Sequence, residues 1–313
     1  MTDPLSLAVA PPPTAPEANF FDQYEEVSFR SCGVPMTLSI WKAKKDAPSL
    51  VFYPGTMASP LLYSELLHRL REYGFNVLGI HHISHGNSPR TKKIFTFQDL
   101  LQNGKDAVSY ALERFTGRVV LAGHSQGGIL CLAQAGQDDR LSVAFPFCFL
   151  LPDRPEAIEV TRLRCVAPRR ERVLQLLTRA AVYMPCFPVA IPMYLDLKRV
   201  FAGNYGFSPK NNLRDIRLSY PLAYVASLFS INLDYLTQTG NIKCPVLGMV
   251  AENDALFTPQ LMRDTLHHIQ APHKELIIMP GGGHMAPISP QGASEYAAVL
   301  HERCTALGLF RIL

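Results

Sequence analysis

No apolar run in this chain reaches the roughly eighteen residues that a membrane-crossing helix needs, and no cysteine pair has the C-x-x-C spacing of a zinc or redox site. The seven cysteines are an odd number with no short repeated spacing, which excludes a disulfide framework. Cys131 and Cys148 fall in apolar runs and read as small core residues. A strong charge of either sign is also missing. The formal balance is +4 over 313 residues and the basic residues are scattered, which gives nucleic acid no footing. The densest basic cluster, "APRRERV" at 167–173, reads as a solvated helix face. The opening "MTDPLSLAVAPPPTAPEA" has an acidic residue where a signal peptide needs basic ones, and its apolar core is short. Residues 1–19 are therefore expected to be a disordered leader with a polyproline tendency. These absences point to a reduced, cytoplasmic setting and leave the oligomeric state open.

What remains is globular composition, 48% hydrophobic and 18% charged, arranged in a rhythm without internal repeats. "EEVSFRS" and "MTLSIWKA" alternate as a hairpin through "CGVP", and "SLVFYPG" is a continuous apolar strand. "PLLYSELLHRLREYG" has helical spacing and stops at Gly74, "FNVLGIHH" is a buried strand, and "TFQDLLQNGKDAVSYALERF" is a helix with Thr96 as its N-cap. "RVVLAGH" and "SVAFPFCFL" are further strands. Strands that are apolar throughout and alternate with helices indicate a mostly parallel sheet covered on both faces. The rhythm stops at Pro152 and resumes near Lys243 with "CPVLGMVAEND", "TPQLMRDTLHHI", "KELIIMPGGGH" and a closing helix from Ser289 to about Leu307. The expected organisation is one α/β core, residues 20–151 and 243–313, interrupted by a helical cap at 152–242 with no clear strand. "RERVLQLLTRAAVY" and "PMYLDLKRVFAG" are its helical runs.

"LAGHSQGGIL", residues 121–130, sets one serine among three glycines directly after a strand. Glycine is tolerated where backbone turns tightly or another chain comes close. G-x-S-x-G between a strand and a helix lifts the Ser125 hydroxyl off the strand end and aims the Gln126 N–H into the same space. A serine hydroxyl is a weak nucleophile and needs a base, and the base needs a third group to hold its tautomer. Both should follow in the order acid then histidine, each just past a later strand. "VLGMVAENDALF" ends a strand at an acidic cluster, and "LIIMPGGGHMAP" ends the last strand at His284 after three glycines.

Carrying these three motifs, the chain resembles the α/β-hydrolase-fold serine hydrolases over nearly its whole length outside the leader and the insertion. The resemblance implies that Ser125 is the nucleophile, Asp254 in "AENDALF" the acid and His284 in "GGGHMAP" the base. Glu252 and Asp153 remain alternatives for the acid. "YPGTMAS" stands where many members have His-Gly before the first oxyanion donor; here the pair is Pro54-Gly55, so the donor is expected to be the Thr56 N–H, with Met57 as substitute. Met57 and Met285 are expected to touch substrate. "HHISHGNS" offers His81, His82 and His85 as metal ligands, but the family has a polar loop there, so neither metal nor cofactor is expected. His124 reads as a packing residue, and His267 and His268 as surface residues. The implied activity is hydrolysis of a small-molecule or lipid ester. A medium or long acyl chain is favoured, as in monoacylglycerol lipases and lysophospholipases, because the insertion is rich in bulky apolar residues such as Phe187 and Phe229. Acyl transfer, thioester hydrolysis and ligand binding without turnover use the same constellation and stay open.

Overall fold

The computed structural model describes residues 23–310 apart from positions 153 and 155 and the stretches 204–215 and 231–241. The expected leader and the acid candidate Asp153 lie outside the described residues. The strands, in chain order, are β1 (Glu25–Ser31), β2 (Val34–Trp41), β3 (Ser49–Tyr53), β4 (Asn76–His81), β5 (Val119–His124), β6 (Leu141–Phe147), β7 (Pro188–Ala190), β8 (Ser219–Pro221), β9 (Val246–Ala251) and β10 (Lys274–Met279). Eight of them form one sheet in the order β1-β2-β4-β3-β5-β6-β9-β10. Pairing is parallel from β4 through β10, and β2 runs antiparallel to both β1 and β4. The β1–β2 loop is Cys32-Gly33 alone, with φ of 52° and 79°. Two left-handed residues give a twist that suits a tight hairpin.

β3, β4, β5 and β9 are buried at every residue, because helices close both faces of the sheet. On one side lie Leu100 and Val108 of the helix Phe97–Arg114 with Leu130 and Ala133 of the helix Gln126–Ala135. On the other, Leu66 and Leu70 of Ser64–Glu72 pack with Tyr296 and Leu300 of Pro290–Ala306. Thr96 caps its helix: its hydroxyl accepts the Asp99 N–H while the Asp99 carboxylate accepts the Thr96 N–H at 2.9 Å. The strand order reverses beside β3, and the carboxyl ends of parallel strands at such a point open a crevice. The loops after β3, β5, β9 and β10 therefore share one edge of the sheet.

Between β6 and β9 the described residues add no strand to this sheet. They form mainly helices, the longest being Arg170–Tyr183. Two features differ from the sequence reading. β7 and β8 pair antiparallel as a short ribbon, Val189 opposite Tyr220; three-residue strands flanked by prolines carry no readable period. The run "PMYLDLKRVFAG" is not one helix but two single turns, Ile191–Tyr194 and Leu197–Val200. It breaks at Leu195, whose backbone is extended (φ −98°, ψ 130°) and bridges to Thr161. Phe187 is 52% exposed, whereas Phe229 is buried against the site described below. Among the described residues no helix is long and apolar enough to cross a membrane.

Candidate active site

The turn from β5 into the helix Gln126–Ala135 is built on close approach. Ser125 sits at φ 59°, ψ −117°, a region that side chains other than glycine rarely occupy. It is held there by its own N–H on the Phe147 carbonyl (2.8 Å) and by its carbonyl, which accepts from Gly128 N–H (2.9 Å) and Ile129 N–H (3.1 Å). A Cβ on Gly127 would collide with the Tyr53 carbonyl oxygen, and one on Gly123 with the Gly127 carbonyl oxygen. The glycines are thus required by the backbones of β3 and of the turn itself.

His284 follows two left-handed glycines, Gly281 and Gly282 at φ 66° and 61°, which turn the loop after β10 back over the sheet edge. The His284 Nε2 is 3.1 Å from the Ser125 Oγ, and its Nδ1 is 2.9 Å from the Asp254 Oδ2. The Phe257 ring stacks on the imidazole at 5.3 Å between centroids. With Nδ1–H donating to the carboxylate, Nε2 is left as the acceptor for the serine hydroxyl. Asp254 is itself surrounded by donors. Its Oδ1 accepts from the N–H groups of Leu256 (2.7 Å) and Phe257 (2.8 Å), and its Oδ2 accepts from the Cys148 thiol (3.2 Å) as well as from His284. Burial raises the affinity of this carboxyl for a proton, but the charge and hydrogen bond of His284, the Phe257 amide and the Cys148 thiol outweigh it, so the carboxyl is held below its ordinary range. Glu252 is exposed and turns elsewhere: its Oε2 accepts the Gly281 N–H at 3.1 Å.

The Thr56 and Gln126 side chains are joined, Thr56 Oγ1 donating to Gln126 Oε1 at 2.9 Å. Among the described residues neither backbone amide has a hydrogen-bond partner. The amides on either side of Thr56 are taken. Gly55 N–H donates to the Tyr63 hydroxyl (3.1 Å), and Met57 N–H to the Tyr220 hydroxyl (3.1 Å). Each tyrosine passes its own proton to a histidine. Tyr63 donates to His124 Nδ1 (2.8 Å), whose Nε2–H reaches the His284 carbonyl (2.9 Å). Tyr220 donates to His85 Nε2 (3.0 Å), whose Nδ1–H reaches the Ile83 carbonyl (2.8 Å). His124 therefore does more than pack, and it joins the loop after β3 to the loop that carries His284. Sequence reasoning missed both tyrosines, since nothing local marks them.

The histidines of "HHISHG" do not converge. His81 accepts the Asn87 N–H and faces the Ser39 hydroxyl, His82 contacts Asn103, and His85 is committed to Tyr220 and Ile83. Among the described residues, the side-chain atoms close enough to share an ion belong to His124, Cys148 and His284, and the first two are already spent on the His284 carbonyl and the Asp254 carboxylate. His267 and His268 are exposed.

Four of these rings are buried in neutral form. Burial lowers His81 and His124 to about 3 and His82 to about 4, and holds His85 well below the ordinary value. In the unfolded chain they titrate near ~6.5. Below that pH the unfolded state binds protons that the folded state refuses, so stability is fully present above ~6.5 and falls as the pH drops toward 4. Each ring that is protonated only in the unfolded chain adds to the slope with which stability falls. Urea midpoints should therefore fall steeply from pH 7 to pH 5. Equal midpoints at the two pH values would contradict the buried neutral rings.

Two apolar cavities meet at Ser125. The larger, about 330 Å³, is bordered by Met57, His284, Met285 and Ile288 and by Leu197 and Phe201 from the segment after β6. The smaller, about 60 Å³, is bordered by Gln126, Leu150, Val160, Phe229, Leu256 and Phe257. Thr56 and Leu195 border both. Met57 and Met285 thus stand beside Ser125 in the larger space.

The profile of the alpha/beta hydrolase family matches residues 50–299, and the chain belongs to that family. Solved structures share the fold. The monoacylglycerol lipase of Paleococcus ferrophilus is 18% identical with a TM-score of 0.63, covering 86% of this chain and 99% of its own. A soluble variant of the monoglyceride lipase of Saccharomyces cerevisiae, in complex with a substrate analog, is 15% identical with a TM-score of 0.68, over 91% of this chain and 96% of its own. A thermophilic esterase of Thermogutta terrifontis is 20% identical with a TM-score of 0.59, over 91% and 99%. No curated protein sequence matches the chain.

Proposed function

We propose that the protein is a serine hydrolase that cleaves a carboxylic ester through an acyl-enzyme on Ser125. The observation that carries this reading is the unbroken chain from Ser125 Oγ through His284 to Asp254, set beside two backbone amides that have no partner among the described residues. Oγ attacks the carbonyl carbon while His284 Nε2 takes its proton. The Thr56 and Gln126 N–H groups receive the oxyanion, and Asp254 stabilises the imidazolium. His284 then gives the proton to the departing alcohol, and a water activated in the same way releases the acid. The overall change consumes one ester and one water. Among the described residues no Lys, Arg, Asp or Glu borders either cavity, which supports an uncharged, apolar substrate. The lipases and esterase of like fold support the same class. The medium or long chain expected from the sequence becomes a question of which half of the ester occupies which cavity.

Rapid mixing with p-nitrophenyl acetate should release a burst of nitrophenolate equal to the enzyme concentration. Mass analysis of the quenched protein should find the acetyl group on the peptide containing Ser125. EDTA should leave the rate unchanged. Turnover without a burst and with an acetyl group on another residue, or a rate lost to EDTA and restored by zinc, would remove the proposal.

A further inference from the structure

The geometry points to an ester that joins a short acyl group to a larger apolar alcohol. This reading rests on the ester hydrolysis proposed above and assigns one half of the substrate to each cavity. In the tetrahedral intermediate the former carbonyl carbon carries Ser125 Oγ, the oxyanion, the leaving oxygen and the acyl carbon. The oxyanion is directed to the Thr56 and Gln126 amides. The leaving oxygen must take its proton from His284 Nε2, so among the remaining substituents it is the one that faces His284. When the intermediate collapses, the carbon–oxygen bond breaks, its electron pair goes to the alcohol oxygen, and that oxygen receives the Nε2 proton.

His284, with Met285 and Ile288 of the same loop, borders the large cavity and not the small one. Gln126 borders the small cavity and not the large one. The alcohol half therefore leaves into about 330 Å³, and the acyl carbon is turned into about 60 Å³. The acyl side is the small space and the alcohol side the large one, so a short acyl group and a bulkier alcohol fit them. Leu195 is the partition: it borders both spaces, and it is the residue at which the helical run breaks into extended backbone. Phe229 and Phe257 border the acyl side, and Leu197 and Phe201 the alcohol side.

Two ester series separate the halves. With acetyl fixed, kcat/KM should climb from methyl to hexyl acetate by about fourfold per methylene. With p-nitrophenol fixed, it should be highest between acetate and butyrate and at least tenfold lower at octanoate. Phe229→Ala should move the acyl optimum to longer chains, and Leu197→Trp should penalise octyl acetate at least tenfold relative to methyl acetate. An acyl series that climbs through octanoate beside a flat alcohol series overturns the assignment. A fluorophosphonate reads the nucleophile with little regard to the cavities. Labelling of Ser125 together with the reversed series would overturn the assignment of the halves alone. No labelling and no turnover of any ester would overturn the hydrolase reading, and this one with it.

Discussion

Ser125→Ala should lower kcat/KM by about 10⁴-fold or more while the protein keeps its fold. Serine and histidine of such a site act as a unit, so removing either one abolishes nearly the whole covalent route. Stability should hardly move, because the strained backbone at φ 59° is the same for alanine and its hydrogen bonds to Phe147, Gly128 and Ile129 are made by backbone atoms. Among the described residues the hydroxyl lost makes one hydrogen bond, to His284. A fluorophosphonate should add once to the parent protein, on Ser125, and not at all to the variant. Turnover by the alanine protein at the parent rate, or an adduct on another residue, would end the role given to Ser125.

Asp254→Asn should be nearly as damaging, about 10⁴-fold in kcat. An amide –NH₂ facing His284 Nδ1 would donate to it. The proton would then sit on Nε2, where the serine hydroxyl needs an acceptor. The same –NH₂, in the place of Oδ2, would also face the Cys148 thiol, which now donates to that oxygen, while the remaining oxygen keeps the Leu256 and Phe257 amides. An unsatisfied buried donor costs about 1–3 kcal/mol, so the variant should also unfold at lower urea. Glu252→Gln should retain activity within a few-fold, since glutamine keeps an oxygen for the Gly281 N–H. The reverse ranking of the two variants would move the acid to Glu252.

Much of this candidate site can be read along the chain because Ser125, Asp254 and His284 each lie in the turn or loop that follows a strand. Continuous apolar runs such as "RVVLA" mark buried parallel strands, and the residues that come after them must gather at one sheet edge. Glycines at 123, 127 and 128 are legible for the same reason, as places where a side chain would meet neighbouring backbone. Choosing between Glu252 and Asp254 is different. Both sit in one loop, and only the fold decides which faces His284 and which meets Gly281. The tyrosines are harder still. Tyr220 meets Met57 across 163 residues, and no local pattern announces a hydroxyl that will accept a distant amide. The break at Leu195 has a similar cause, since a pairing with Thr161 overrides good helical spacing.

The bond from Met57 N–H to Tyr220 also sets an order of events. The loop after β3 is made early in synthesis, yet one of the hydroxyls that shapes it arrives with residue 220, and β9 and β10 come later still. Contacts so distant in sequence form late, after the loop between them has been closed. Trp41, the single tryptophan, is buried on the opposite side of the sheet among Leu66, Leu70 and Val77. Its surroundings come from β4 and the helix Ser64–Glu72, close in sequence, whereas the bond to Met57 needs the segment around Tyr220. A refolding chain should therefore regain native tryptophan fluorescence before it regains activity.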